Sequence, residues 1–263
     1  MILEDWLKPF LEIPIDGYFV LMTAAVLLAG FLRGFIGFGA ALIIVPVLSL
    51  VLGPQIAIAV LTVMGFPSTI QLLPDAWRHS ERAIIVPMSL AIVTATPFGT
   101  WFLVSVDPNL MKIVISAAVV LMVAFLAKGW RLDQKVGRPI LLLAGTIGGL
   151  VQGAAGIGGP PVVAVALSRA GTPEQQRGNV LAVIAATVIS TIPPLFYFNL
   201  FTPKSVAYGL VLLLPYSIAA WAGSRYFNRG GQRHFRNAAL IVLAIIGLAT
   251  LAASVWNALN QPS

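Results

Sequence analysis

The sequence predicts an all-α polytopic membrane protein with about 8–10 transmembrane segments, arranged as two inverted-topology repeats with glycine-broken helices. Three observations predict this fold class: the composition, the placement of the basic residues and an internal glycine repeat. Of the 263 residues, 59% are hydrophobic and 10% are charged, whereas a soluble domain carries about 25% charged residues. Lipid is therefore the solvent that suits this chain, with its backbone polar groups satisfied inside helices.

Apolar stretches separated by short polar loops organise the chain. Two of them are too long for one crossing of about 20 residues and short for two, and glycines interrupt both. Each is predicted to be a pair of short or broken helices that meet near the middle of the membrane, as paired short crossings or as re-entrant hairpins. The two long stretches are 18–52 and 139–168, and the single helices are expected at 55–74, 83–103, 110–127, 178–198, 205–224 and 238–257.

The basic residues predict the topology. Twelve of the sixteen Lys and Arg residues lie in the loops 75–82, 128–138, 169–177 and 225–236, which the positive-inside rule places in the cytoplasm. Both termini are then outside, in a cell (cytoplasmic or inner) membrane. The predicted division is a first repeat half at 1–127, a basic cytoplasmic linker at 128–138 and a second half at 139–263. The net charge of +7 comes mainly from these loops, so lipid rather than nucleic acid is the expected partner.

The two halves share a glycine pattern. GFLRGFIGFGAALIIVPVL begins at Gly30, and GLVQGAAGIGGPPVVAVAL begins at Gly149. Gly30, Gly34, Gly149 and Gly153 are predicted to let helices pack closely. The later glycines and prolines would break a helix, and paired breaks in inverted halves indicate a transporter's binding site. The aligned pairs are Gly30/Gly149, Gly34/Gly153, Gly37/Gly156, Gly39/Gly158, Pro54/Pro173 and Pro74/Pro193.

These motifs resemble those of the TauE/SafE family of sulfite-exporter-like permeases. The run GIGGPP at 156–161, followed by an apolar stretch and PEQQRGNVLAV at 173–183, is especially similar. The first motif differs from the glycine-rich form because Ala40 and Ala41 follow Gly39. The resemblance covers essentially the whole chain, and it implies a permease for sulfite, sulfonates or related small anions.

Arg33 is the one basic residue deep inside an apolar stretch. A charge at the bilayer centre costs about 2.5–3.5 kcal/mol on insertion scales, so such a residue is a functional hypothesis. A guanidinium offers several donors in a fixed fork that suits oxyanions. Arg33 is therefore predicted to be a counter-charge for an anionic substrate, and the alternative is an anchor that snorkels to the inner interface.

Other polar and glycine residues complete the predicted substrate site. Gln152 is the repeat partner of Arg33 and contacts either substrate or a neighbouring helix. Ser68 and Thr187 align with each other and either line a pore or bond back to their own helices. Arg177 is expected to follow the positive-inside rule, although the resemblance implies a cytoplasmic entrance there. The predicted substrate-binding residues are Arg33, Gly37, Gly39, Ser68, Gln152, Gly156, Gly158, Gly159 and Thr187.

The sequence favours a permease over an enzyme. It has no cysteine, its two histidines lie in charged loops, and all nine acidic residues lie in loops or at the N-terminus. We therefore expect no catalytic residues, no metal and no other cofactor, and a carboxylate proton relay is disfavoured. The predicted function is potential-driven export of a small anion such as sulfite or an organosulfonate. An ion-coupled secondary transporter importing a sulfur-containing or carboxylate anion is the alternative, and the oligomeric state stays open.

Overall fold

The protein, described here from a computed structural model, is helical throughout the residues that the structure describes: 8–36, 39–127, 137–167, 172–227 and 232–260. Ten α-helices longer than two turns account for most of these residues, and the all-α prediction is confirmed. They are α1 Gly17–Ile36, α2 Ala41–Leu52, α3 Pro54–His79, α4 Arg82–Ser105, α5 Pro108–Ala127, α6 Arg138–Ala155, α7 Gly159–Ala166, α8 Pro173–Tyr197, α9 Pro203–Phe227 and α10 Gln232–Asn260. Most of the predicted linker at 128–138 lies outside the described residues.

Within the part of the chain that the structure describes, seven helices are long and apolar enough to cross a membrane: α1, α4, α5, α6, α8, α9 and the 243–260 part of α10. The polytopic membrane protein predicted from composition is confirmed by this set. Of the others, α3 has 26 residues, while α2 is a shorter apolar helix of 12 residues. The 8 residues of α7 rise only about 12 Å, less than half of a hydrocarbon core.

Local sequence sets where the helices begin. The Asp16 carboxylate accepts a hydrogen bond from the Phe19 amide at 2.9 Å, and Asp107 plays the same part at the start of α5. A reciprocal capping box joins Thr172 and Gln175 before α8. Such caps satisfy amides that the first helical turn leaves without partners. Proline, which lacks an amide hydrogen, stands first in four helices: Pro54, Pro108, Pro173 and Pro203.

The predicted loop at 75–82 is mostly helical. Helix α3 continues to His79, so that only Ser80 and Glu81 separate it from α4. The residues from 75 to 79 include neither Gly nor Pro, and nothing in that stretch ends the helix. Helix α10 likewise starts at Gln232, before the predicted 238. Hydropathy marks where a chain leaves the apolar layer, and a helix can continue beyond that point.

The two long apolar stretches are each divided into two helices, as predicted. The first stretch forms α1 and α2, and the second forms α6 and α7 on either side of residues 156–158. Only the second helix of each pair is short, because α1 has 20 residues and α6 has 18. In the second stretch α7 turns back onto α6, since Val162 and Gly158 both lie against Gly148. Residues 139–167 therefore form a hairpin with one long and one very short arm.

The chain packs as two compact units that do not follow the sequence halves. The first unit contains 1–64, 106–127 and 199–263, and the second contains 65–105 and 128–198. Each unit thus combines helices from both predicted repeats. In the first unit the main pairs are α1 with α9 and α5 with α10, and in the second α4 packs against α6 and α8.

In the second unit, glycines bring α4 and α6 into backbone contact. A Cβ on Gly149 would lie 2.6 Å from the Ile92 carbonyl oxygen, and one on Gly153 would meet the Thr96 carbonyl oxygen. Gly99 in turn faces Leu150. Because both members of each contact advance by four residues, the two helices run parallel. The packing role predicted for Gly149 and Gly153 is confirmed.

The first unit has the same interface between α1 and α9. A Cβ on Gly30 would lie 2.6 Å from the Tyr216 carbonyl oxygen, and one on Gly34 would meet the Ala220 carbonyl oxygen. The glycines of the two interfaces are 119 residues apart, while their partners are 124 residues apart. An offset of 119 residues therefore aligns the glycine motifs, but it does not align α4 with α9, which requires an offset of 124. The corresponding partners are Ile92/Tyr216 and Thr96/Ala220, and the reciprocal glycines are Gly99/Gly223.

Candidate functional site

The break between α6 and α7 has a defined backbone path. Gly156 adopts a left-handed conformation with φ of +68°, and its amide donates to the Gln152 carbonyl at 2.8 Å. This bond closes the end of α6. Helix α7 begins at Gly159, and the next two residues, Pro160 and Pro161, have no amide hydrogen to leave unsatisfied. Two of the three glycines predicted here, Gly156 and Gly159, thus mark the end of α6 and the start of α7.

Gln152 joins this break to α8. Its side chain is 6% exposed. Its Oε1 atom accepts a hydrogen bond from the Gly158 amide at 3.1 Å, and its Nε2 atom donates to Thr191 Oγ1 at 3.1 Å. The Thr191 hydroxyl then donates to the Thr187 carbonyl at 2.7 Å. This geometry supports the interhelical bond considered for Gln152, and a contact with substrate stays a prediction.

Gly158 and Gly159 have different surroundings although they are adjacent. A Cβ on Gly158 would collide with the Gly148 carbonyl oxygen and lie 2.6 Å from Gln152 Cβ. A Cβ on Gly159 would have nothing within 4 Å. Gly158 is therefore required by the packing of the hairpin itself, whereas the backbone at Gly159 is open to a ligand.

A buried layer of hydroxyl groups continues from Gln152 across α8. Thr187, Ser190 and Thr191 lie three and four positions apart and share one face of the helix. The Ser190 hydroxyl lies 3.0 Å from the Thr96 hydroxyl of α4. The sequence reasoning missed Thr96, Ser190 and Thr191, because only positions aligned by the repeat were considered. Three hydroxyls on one face of a membrane helix are the signal that could have found Ser190 and Thr191.

The two aligned hydroxyl residues, Ser68 and Thr187, bond to their own helices. The Thr187 hydroxyl donates to the Ile184 carbonyl at 2.8 Å, and the Ser68 hydroxyl donates to the Gly65 carbonyl at 2.9 Å. This is the back-bonding considered for both residues. Their contact with substrate stays a prediction.

A charged residue, Arg33, lies beside the break between α1 and α2. Arg33 lies in the last turn of α1, where a cation interacts favourably with the helix dipole. Gly37 lies outside the described residues. Gly39 has φ of +96° and would have nothing within 4 Å of a Cβ, so its backbone is also open. The helix α2 starts two residues later, at Ala41.

Tyr216 is the neighbour of Arg33 that the sequence reasoning missed. It belongs to α9 and is 3% exposed, and Gly30 allows its backbone to approach α1. Its hydroxyl meets no partner at hydrogen-bond geometry among the described residues. The Arg33 guanidinium is near enough to interact with it electrostatically. The contact joins residues 183 positions apart in sequence, which no local pattern indicates.

Arg177 is exposed on the second turn of α8. The next two residues, Gly178 and Asn179, pack against the junction between α3 and α4. A Cβ on Gly178 would lie 2.7 Å from the His79 carbonyl carbon. The buried Asn179 accepts a hydrogen bond from the Glu81 amide at 2.7 Å and its Nδ2 atom lies 3.4 Å from the Glu81 carboxylate. The glycine and asparagine of the PEQQRGN motif therefore hold α8 against the start of α4.

The structure groups the predicted site residues by unit. Gln152, Gly156, Gly158 and Thr187 gather around the second break within the second unit, together with Gly159. Arg33 and Gly39 belong to the first unit. Among the described residues no group of three or more His, Cys, Asp or Glu side chains is placed to hold a metal.

The fold and the two breaks define a polytopic helical membrane protein with paired interrupted helices. The sequence profile of the family described as "Sulfite exporter TauE/SafE" matches residues 22–250. The chain therefore belongs to the TauE/SafE family, a family of membrane anion exporters, as the motifs predicted. No curated protein and no solved structure matches the chain.

Proposed function

We propose that this protein is a uniporter that exports a small anion, such as sulfite or an organosulfonate, down the membrane potential. The observation that carries the proposal is a guanidinium, Arg33, at the end of a broken membrane helix in a chain of the sulfite exporter family. Arg33 is half-buried, and an anion is the ligand that a cation shielded from water stabilises most strongly.

The backbone around the breaks supports an anion site. Gly39 and Gly159 lie beside the starts of α2 and α7, and both have open space where a side chain would be. Helix N-termini carry free amides and a partial positive charge, which favour anions. Within the first unit, the predicted site residues Arg33 and Gly39 thus supply one full charge and a stretch of backbone that a ligand can approach.

The packing of each unit agrees with inverted repeats whose termini are outside. In the second unit α4 and α6 both begin with basic residues, Arg82 and Arg138, which the positive-inside rule places in the cytoplasm. The two helices must then run parallel, and the glycine contacts show that they do. In the first unit α1 and α9 begin at predicted outer ends and are parallel as well.

The membrane potential is sufficient to drive such export. Each unit charge gains about 2.3 kcal/mol per 100 mV, so a dianion leaving an inside-negative cell gains roughly twice that. This corresponds to a concentration ratio above about a thousandfold, since each 1.4 kcal/mol is tenfold. The described acidic residues lie in loops or in terminal turns of helices, which supports a mechanism without a carboxylate proton relay.

Reconstituted protein tests the proposal. Liposomes loaded with sulfite are clamped with potassium and valinomycin, and efflux is followed without a pH or sodium gradient. Efflux should accelerate when the interior is negative and slow when it is positive, and protein-free liposomes give the background. Transport that requires a sodium or proton gradient would replace the uniporter with the ion-coupled importer, whose sodium ion could be held by unwound carbonyls.

A reporter tests the proposed orientation separately. A reporter enzyme that is active only in the periplasm is fused after Ser263. Activity is expected, because charge sorting places the C-terminus outside. A matched fusion after Gln134, in the basic linker, should be inactive, and the reverse pattern would reject the inverted arrangement.

A further inference from the structure

The Tyr216 hydroxyl is a buried polar group without a satisfied hydrogen. Its oxygen is shielded from solvent and meets no partner at hydrogen-bond geometry among the described residues. A buried donor that is left unsatisfied costs about 1–3 kcal/mol. Phenylalanine would fill the same volume without this cost, so the hydroxyl calls for a ligand or a function.

The chemistry of the neighbouring Arg33 side chain determines which kind of hydrogen-bond partner the Tyr216 hydroxyl still needs. A guanidinium has only donors, and a phenol has one donor and an acceptor oxygen. When Arg33 interacts with Tyr216, the phenolic oxygen can only accept, and the phenolic hydrogen still needs an acceptor. The phenolic hydrogen of Tyr216 therefore needs an acceptor, and beside a guanidinium an acceptor with negative charge is favoured.

We propose that Tyr216 is a second anion-binding residue, whose hydroxyl donates to one oxygen of an oxyanion while the Arg33 guanidinium donates to another. The inference rests on the proposed function and deepens it, because it adds a residue to the substrate site and selects the substrate class. Anions with two or more oxygens, such as sulfite, sulfonate or carboxylate, can use both donors. A chloride ion offers no second oxygen to the pair.

The close approach of α9 to α1 positions the hydroxyl. Gly30 lies against the Tyr216 carbonyl and ring, with its notional Cβ 3.3 Å from Tyr216 Cδ2. Ala219 Cβ lies 3.1 Å from the same point. The ring is thus held between backbone and small side chains, and removing the hydroxyl leaves this packing unchanged. Tyr216→Phe is therefore a substitution that tests the donor without disturbing the fold.

Tyr208 provides a matched control. It lies eight residues earlier on the same helix and is 5% exposed, about 12 Å from Tyr216 along the axis. Tyr208→Phe removes the same hydroxyl group from a similarly buried ring. Any general effect of losing a tyrosine hydroxyl from α9 will appear in both variants.

Binding is measured on purified protein in detergent, as the shift of Tm with sulfite, methanesulfonate or chloride, since a ligand of the folded state stabilises it. Wild type should be stabilised by the two oxyanions more than by chloride. The sulfite concentration giving half of the shift should rise about tenfold or more in Tyr216→Phe, because a hydrogen bond to a charged group is lost. It should stay unchanged in Tyr208→Phe.

Transport separates the inference from the function on which it rests. In sulfite efflux from liposomes, Tyr216→Phe should raise KM with little change in the maximal rate, and should add little to Arg33→Ala. Normal sulfite binding by Tyr216→Phe, or no oxyanion binding by wild type, would overturn the inference. Tyr216-dependent binding without any transport would sustain the site and reject the proposed exporter.

Discussion

The two breaks of the chain differ in the polar side chains that lie beside them. In the second break Gln152 is neutral, and both ends of its amide have protein partners, Gly158 and Thr191. In the first break the aligned residue is Arg33, which carries a charge, and its neighbour Tyr216 keeps an unsatisfied hydroxyl. One break is complete without a ligand, and the other presents donors.

The difference follows from what a low-dielectric interior allows. A neutral amide has donors and acceptors, so two neutral partners can satisfy it. A guanidinium has only donors and a net positive charge, so acceptors, and above all anions, are the groups that suit it. The two positions that the glycine motifs align, Arg33 and Gln152, therefore have different chemistry. The proposed anion site is at the first break, whereas the Gln152 hydrogen bonds hold the hairpin at the second.

The largest expected effect comes from removing the charge. Arg33→Ala should reduce sulfite efflux about a hundredfold or more, and Arg33→Lys about tenfold, because an ammonium keeps the charge and loses the planar fork. Gln152→Ala at the aligned position should mainly reduce stability. Efflux from liposomes, normalised to inserted protein, measures all three variants.

Membrane insertion is the control for this comparison, and each variant should insert as wild type does. Wild-type flux in Arg33→Ala would show that Arg33 is an anchor at the interface. Equal losses of flux in Arg33→Ala and Gln152→Ala would show that the two breaks do not differ as described.

The next effect separates packing from ligand access at the second break. Gly158→Ala should lower the folded yield and Tm strongly, because its Cβ collides with a backbone oxygen of Gly148. Gly159→Ala should fold normally, since the space beside it is empty, and should impair transport if substrate approaches there. Size-exclusion profiles and efflux distinguish the two.

The leucine variants sharpen the same point. Gly158→Leu and Gly149→Leu should give folding defects of a similar kind, because both glycines face backbone oxygens. A folded but inactive Gly158→Leu protein would instead place substrate at Gly158.

The smallest effect concerns the bond that joins the hairpin to α8. A double-mutant cycle of Gln152→Ala and Thr191→Val should show a coupling of about 0.6–1.7 kcal/mol, the range for hydrogen bonds between membrane helices. Unfolding in mixed micelles measures it. Thr191→Ser should restore the coupling.

Thr250→Val is the control for that cycle. Thr250 is buried and bonds to the Ile246 carbonyl of its own helix, so it should show no coupling with Gln152. A coupling near zero between Gln152 and Thr191 would mean that the second break is held by backbone packing alone.

The sequence by itself determined the membrane class, the family, the two interrupted stretches and the helix caps. Each depends on residues close together in the chain. A run of apolar residues, a capping carboxylate such as Asp16 or a Gly-Pro break acts on its own backbone. Where a helix continues past its apolar stretch, as α3 does to His79, its end could not be predicted from hydropathy.

Only the tertiary structure decided which polar groups meet. The contacts of Arg33 with Tyr216, Gln152 with Thr191 and Asn179 with Glu81 each join positions that are distant in the sequence. Gly30 and Gly178 allow the close backbone approach beside the first and the third of these contacts. The tertiary structure also packs Gly158 against Gly148 and leaves open space beside Gly159, although Gly158 and Gly159 are adjacent in the sequence. The physical reason is that a hydrogen bond in lipid depends on the relative position of two helices, whereas hydropathy depends on one.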